Sequence, residues 1–283
     1  MLEALMGQIE VVPVSGGVGV EVHNVDIKAG IDAGTFDELR TAFVEHGLIF
    51  LRDQDITPDE HIAFAERWGE ININRFFPRL DGYDQIATVT KEPDQTTNIG
   101  GGWHTDHSYD HVPAMGSILI ARETPPVGGD TLFACMYTAY DTLSDGLKQT
   151  LEDMKAVHSS RHIFGEQSSY RDTMKDRFSN PEDATQDAVH PVAITHPESG
   201  RKALYVNPGF TLHFDGWTAA ESKPLLDYLY AHAVQLEHTT RFQWAPGSIA
   251  FWDNRCTWHY ALNDYHGTRR EMHRITIEGS PIS

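Results

Sequence analysis

The strongest constraint on this chain is a series of apolar runs too short to be helices. Residues 48–51, 117–121, 192–195, 203–206, 249–252 and 274–277 all have strand length, and residues 9–13 and 18–23 cluster Val and Ile. Turn signals separate them: Pro125-Pro126 with Gly128-Gly129, Pro197 with Gly200, and Pro246-Gly247. Many short strands between turns predict a mostly β chain, a sandwich or jelly roll with helices packed outside. Helix starts are read at Thr35, Thr57 and Thr218, each followed three residues on by Glu, the capping-box pattern. Pro58 suits the first turn of the second helix, and Leu225, Leu226, Leu229 and Ala233 share one face of the third. No domain boundary interrupts residues 1–283, so a single domain is expected. The stretch 159–188 is polar and poorly periodic, and is read as a lid or binding loop.

Composition narrows the function. The 283 residues carry a formal net charge of −19, which disfavours nucleic acid and anionic membrane surfaces as partners. No run approaches the roughly 18 apolar residues of a membrane span. The first residues lack a basic region and a long apolar run, so no signal peptide is read there. Cys135 and Cys256 form no CxxC and no disulfide framework. These features fit a cytoplasmic protein acting on a small molecule. A homo-oligomer is expected only because soluble enzymes commonly form one.

His104-Thr105-Asp106 is a His-x-Asp. In extended backbone, residues two apart point to one face, so an imidazole and a carboxylate could meet one metal ion. A second histidine would complete the two-His-one-carboxylate set that leaves adjacent positions open for oxygen chemistry. Spacing alone does not single the pair out among 16 histidines and 41 acidic residues. His213-Phe214-Asp215 repeats it, and His196-Pro197-Glu198 nearly does. Arg270 and Arg274 share a face of an apparent strand, roughly 13 Å apart, and guanidinium groups grip carboxylates bidentately.

Three tracts carry a family resemblance: WHTDHSYDHVPAMGSILIARETPPVGGDTLF from Trp103, HPESGRKALYVN from His196, and WDNRCTWHYALNDYHGTRREMHRITI from Trp252. In this order the chain resembles the iron- and 2-oxoglutarate-dependent taurine dioxygenase family over nearly its whole length. The resemblance implies a double-stranded β-helix, a jelly roll of the cupin kind. It implies Fe(II) held by His104, Asp106 and His259, with 2-oxoglutarate and O2 as co-substrates and succinate and CO2 as products. It implies that Arg270 and Thr131 hold the distal carboxylate of 2-oxoglutarate. A carboxylate at position 106, where related halogenases have a small residue, implies hydroxylation rather than halogenation.

By the same resemblance Arg274 matches an arginine that binds the acidic group of the primary substrate, which implies a small anionic molecule: an aryloxyalkanoate, an alkyl sulfate or sulfonate, or another carboxylic acid. Where the taurine enzyme contacts taurine, this sequence has Asn74, Phe77 and Gly100, so taurine itself does not fit. Asn74, Phe77 and Tyr109 are the expected substrate contacts, with Phe76 and Phe164 as further candidates. His107, His111, His266 and His273 flank the motifs; His273 alternates away from the two arginines. Trp252 is placed near the site, and Cys256 is read as a small buried hydrophobe. Three alternatives stay open at this point: desaturation or ring formation on the same iron core, a non-catalytic metal-binding jelly roll, and a zinc hydrolase.

Overall fold

The computed structural model describes residues 9–166, 168 and 177–283. Its main sheet has nine strands. Glu10–Pro13, Val20–His23, Leu48–Leu51, Ile249–Asp253, Gly116–Glu123, Arg270–Ile277, Tyr83–Lys91 and Arg79–Leu80 lie side by side in that order, and Ile71–Asn72 pairs with Arg270–Ile277. A smaller sheet, ordered Thr239–Phe242, Thr131–Cys135 and Thr257–Ala261, faces it. Two further small sheets are Asp187–Pro191 with Lys155–Ser159 and Thr211–Phe214, and Ala193–Thr195 with Lys202–Leu204.

Central strands of the main sheet read as unbroken apolar runs because both of their faces are buried. In Leu48–Leu51 the side chains alternate. Phe50 points inward, stacking on Phe242 at 4.0 Å and meeting Phe133 edge-on at 5.6 Å across the two sheets. Ile49 and Leu51 point outward, in the same cluster as Leu39, Phe43, Phe64 and Trp68 of the helical layer. Phe251 does the same from its own strand, stacking on Phe43 at 4.1 Å. This is the jelly-roll sandwich with outer helices that the sequence pattern implied.

Two capping boxes form as read: Thr57 with Glu60 before Pro58–Glu66, and Thr218 with Glu221 before Ala219–Ala233. The third does not. The helix Ala33–His46 starts earlier, because the Asp32 carboxylate accepts from the Thr35 N–H at 3.0 Å. Glu38 is turned elsewhere and accepts the Ile9 N–H at 2.9 Å. Asp is the stronger cap and lies three residues ahead.

The stretch 159–188 is less irregular than its sequence suggests, although residues 167 and 169–176 lie outside the described part. It holds a one-turn helix, Arg161–Phe164, a short turn at Pro181–Asp183, and the first residues of Asp187–Pro191. Elements of three to five residues are too short to leave a period in the sequence. No helix among the described residues is long and apolar enough to cross a membrane.

Candidate active site

His104 and His259 lie 155 positions apart, yet the backbone makes them neighbours: His104 N–H donates to His259 O at 3.1 Å and His259 N–H to His104 O at 2.8 Å. A reciprocal antiparallel pair puts both side chains on one face, and the two rings sit 4.1 Å apart. The His104 Nδ1–H donates to Gly102 O at 2.7 Å. A carbonyl oxygen can only accept, so that nitrogen carries a proton and Nε2 is the ring nitrogen turned toward the other two side chains. Asp106 Oδ1 stands 3.8 Å from His104 Nε2, and Oδ2 stands 4.0 Å from His259 Nε2. These gaps are too long for hydrogen bonds, but all three ligand atoms lie within 4.8 Å of one another.

The charge states suit a divalent ion. Burial pushes the Asp106 carboxyl up, but the opposing charges, Arg274 first among them, outweigh it and hold it well below the usual carboxylate range. Burial, then His104, pushes His259 well below the usual histidine range, so its ring is neutral. A carboxylate oxygen and two imidazole nitrogens converging without satisfying one another form the donor set that a ferrous ion takes. Among the described residues one other trio could chelate, His196, Asp253 and Cys256, but its donors are already used. His196 Nδ1 accepts from Ser199 N at 3.1 Å, its Nε2–H donates to Asp253 at 3.0 Å, and Arg255 clamps both Asp253 oxygens at 2.8 and 2.6 Å. That buried network fixes the turn whose Asn254 carbonyl accepts the Thr105 hydroxyl at 2.6 Å, between the two residues of the His-x-Asp.

His104, Asp106 and His259 open into a cavity of about 790 Å³. Arg270 and Arg274 both line it, as do Thr131, Phe77, Tyr109, Phe164 and Trp252. Arg270 is 6% exposed, and its Nε has no acceptor. Asp130, whose charge reaches Arg270, is held by Arg241 at 2.6 Å. A buried guanidinium facing a cavity without a carboxylate of its own favours an anionic ligand. Arg274 donates from Nη1 to Asp106 at 3.2 Å and stacks over the Phe77 ring at 4.5 Å, while its Nε has no acceptor.

Not every expected residue faces this space. The Asn74 carboxamide oxygen accepts from the Phe76 and Phe77 N–H groups at 2.9 and 3.0 Å, so it shapes the loop that delivers Phe77 and is not part of the cavity wall. Phe76 stacks on Phe164 at 4.3 Å, behind the wall. His107 binds Asp110 at 2.9 Å, His273 is held between Arg122 and Glu271, and His111 and His266 are exposed. His213 bonds to the carbonyl of Phe214. Cys256 is buried, and burial first, then Asp253, pushes its thiol well up, as expected of a small apolar residue.

Ser117, Thr105 and Trp244 were missed. Ser117 donates to Asp106 Oδ2 at 3.1 Å, and its only signal was a hydroxyl inside an otherwise apolar run. Trp244 donates to the Thr131 hydroxyl oxygen at 2.9 Å, and nothing in its local sequence announces this.

The family model described as "Taurine catabolism dioxygenase TauD, TfdA family" matches residues 10–276. The chain belongs to the TauD/TfdA family. Its curated relatives in that family include an alpha-ketoglutarate-dependent sulfate ester dioxygenase of Pseudomonas putida, 32% identical over 96% of this chain and 90% of the relative. An (S)-phenoxypropionate/alpha-ketoglutarate-dioxygenase of Sphingobium herbicidovorans is 32% identical over 97% and 96%. Among solved structures, a taurine dioxygenase from Burkholderia xenovorans superposes with a TM-score of 0.82 at 32% identity, covering 97% of this chain and 92% of that one. AAD-2 in complex with Mn(II) and N-oxalylglycine superposes with a TM-score of 0.80 at 26% identity, covering 97% and 98%. As a TauD/TfdA protein this chain is an enzyme, a 2-oxoglutarate-dependent dioxygenase that uses Fe(II) and O2.

Proposed function

We propose that this dioxygenase hydroxylates a small organic anion with an apolar body of about aromatic size, such as an aryloxyalkanoate or a sulfate ester. The observation that carries this reading is the pair of buried arginines lining one cavity with the metal-type trio, each with an Nε that has no acceptor. One suits the distal carboxylate of 2-oxoglutarate and the other the acidic group of the primary substrate. The names of the relatives, which act on sulfate esters and phenoxypropionate, support an anionic substrate.

In this reading His104, Asp106 and His259 hold Fe(II), which supplies oxygen activation once 2-oxoglutarate is bound. Arg270, with Thr131 beside it, fixes the distal end of the co-substrate so that its keto-acid end faces the trio. Arg274, which also donates to Asp106 from Nη1, holds the substrate's acidic group on the side of the cavity next to the trio, so that the carbon beside that group would lie near the metal. Phe77, Tyr109 and Phe164 exclude water and take the apolar body. Where the hydroxylated carbon also bears an ether or sulfate oxygen, the product collapses to a carbonyl compound and releases the oxygen-linked group. Residues 1–283 are read as one domain, with about 159–188 as its lid; Phe164 and Phe178, from the described ends of that stretch, stand in the cavity wall.

The test is a screen of the Fe(II)-loaded enzyme with 2-oxoglutarate against aryloxyalkanoates, alkyl sulfates, sulfonates and plain carboxylic acids. Succinate release should be coupled to loss of an acidic substrate. Arg274→Leu should raise KM for that acid by about 10- to 100-fold, the size expected for losing a charged hydrogen bond, while the KM for 2-oxoglutarate stays within about twofold. Turnover of a neutral molecule alone would refute the role given to Arg274.

A further inference from the structure

Trp244 does not line the cavity, yet it touches two residues that do. Its indole N–H donates to Thr131 Oγ1 at 2.9 Å, and its ring lies 5.8 Å from the Arg270 guanidinium carbon, within cation–π range. Its own position is fixed by a column of rings: Trp244 meets Phe242 edge-on at 4.8 Å, and Phe242 stacks on Phe50 at 4.0 Å. A hydroxyl has one proton to give, and an indole N–H can only donate. With Trp244 occupying a lone pair of Thr131, the threonine proton must point elsewhere. No acceptor for it is found among the described residues, and Thr131 lines the same cavity as Arg270.

We infer that Trp244 is a positioning residue for co-substrate choice: it turns the Thr131 hydroxyl into a donor aimed at the distal carboxylate of 2-oxoglutarate and seats Arg270 against its ring. The inference rests on the proposed roles of Arg270 and Thr131. It makes Trp244 selective for the acidic tail of the co-substrate, with no effect on its keto-acid head. An ordinary half-buried tryptophan that only needed an acceptor would show no such selectivity.

The experiment is calorimetric titration of the Mn(II)-loaded full chain with 2-oxoglutarate and with 2-oxobutyrate, which has the same keto-acid head and no distal carboxylate. Trp244→Phe keeps a ring and removes the N–H. It should weaken 2-oxoglutarate binding about fivefold, the worth of one neutral hydrogen bond, and leave 2-oxobutyrate within twofold. In a Thr131→Val background the same change should have little further effect, because the two act as one unit. Equal weakening of both ligands, no weakening of either, or an undiminished effect in Thr131→Val would overturn the inference. Arg270→Leu and Thr131→Val separate it from the reading beneath it. If both leave 2-oxoglutarate affinity unchanged, the anchor itself is misassigned; if both lower it and Trp244→Phe does not, only the role of Trp244 falls.

Discussion

At the scale of single residues, two of the trio's three donors are held in place by hydrogen-bond partners, while the buried His259 Nδ1 has none. His104 is oriented by Gly102 O, and Asp106 by Ser117 and Arg274. Asp106→Ala should therefore reduce Mn(II) affinity by more than about 100-fold, beyond the usual effect of losing an orienting neighbour, and abolish 2-oxoglutarate-dependent turnover. A metal titration followed by a succinate assay checks both. The His-x-Asp was legible as a pattern, but its partner was not legible from spacing. What joins residues 104 and 259 is a backbone pair across two distant segments, and only the family resemblance pointed to it. Asn74 shows the opposite failure: its position matched a substrate contact, but the loop's own N–H groups claim its oxygen.

At the scale of elements, the His-x-Asp segment is wedged between two supports. One is the Asp253–Arg255–His196 network, which holds the turn that binds Thr105. Arg255→Met should destabilise the fold by about 3–5 kcal/mol, because it leaves the Asp253 carboxylate buried with its main counter-charge gone, and urea unfolding at neutral pH measures it. The other is the turn at Asn207–Phe210. A Cβ on Gly209 would lie 2.7 Å from the Cβ of His104. Gly209→Ala should thus displace that ring and weaken Mn(II) binding by about 10-fold or more, with little change in the urea midpoint. Strands buried on both faces were legible as apolar runs, and two of the three helix caps by their chemistry. Tyr83–Lys91 and Thr257–Ala261 were not, because polar residues interrupt them where they face the site or solvent.

At the scale of the whole molecule, buried histidines set an acid limit on stability. Burial first, then Arg122 and His273, pushes His61 down to about 3, and burial with His190 does the same to His158. The unfolded chain titrates near 6.5, so it binds more protons than the native state between those values, and stability falls as pH drops through that window. By pH 5 the loss reaches at most about 2 kcal/mol per histidine. Neither His61 ring nitrogen makes a well-formed hydrogen bond, so His61→Leu should flatten the fall in urea midpoint between pH 7 and 5; an unchanged slope would show that His61 is not buried neutral. The account as a whole depends on one ion and one keto acid sharing the cavity between the two arginines. Its most direct test is a crystal structure of the Mn(II)–2-oxoglutarate complex, with the metal located by anomalous scattering. The account predicts a metal bonded to His104, Asp106 and His259, with the distal carboxylate of 2-oxoglutarate on Arg270 and Thr131. A metal at His196, Asp253 and Cys256, or a co-substrate whose tail lies on Arg274, would contradict it.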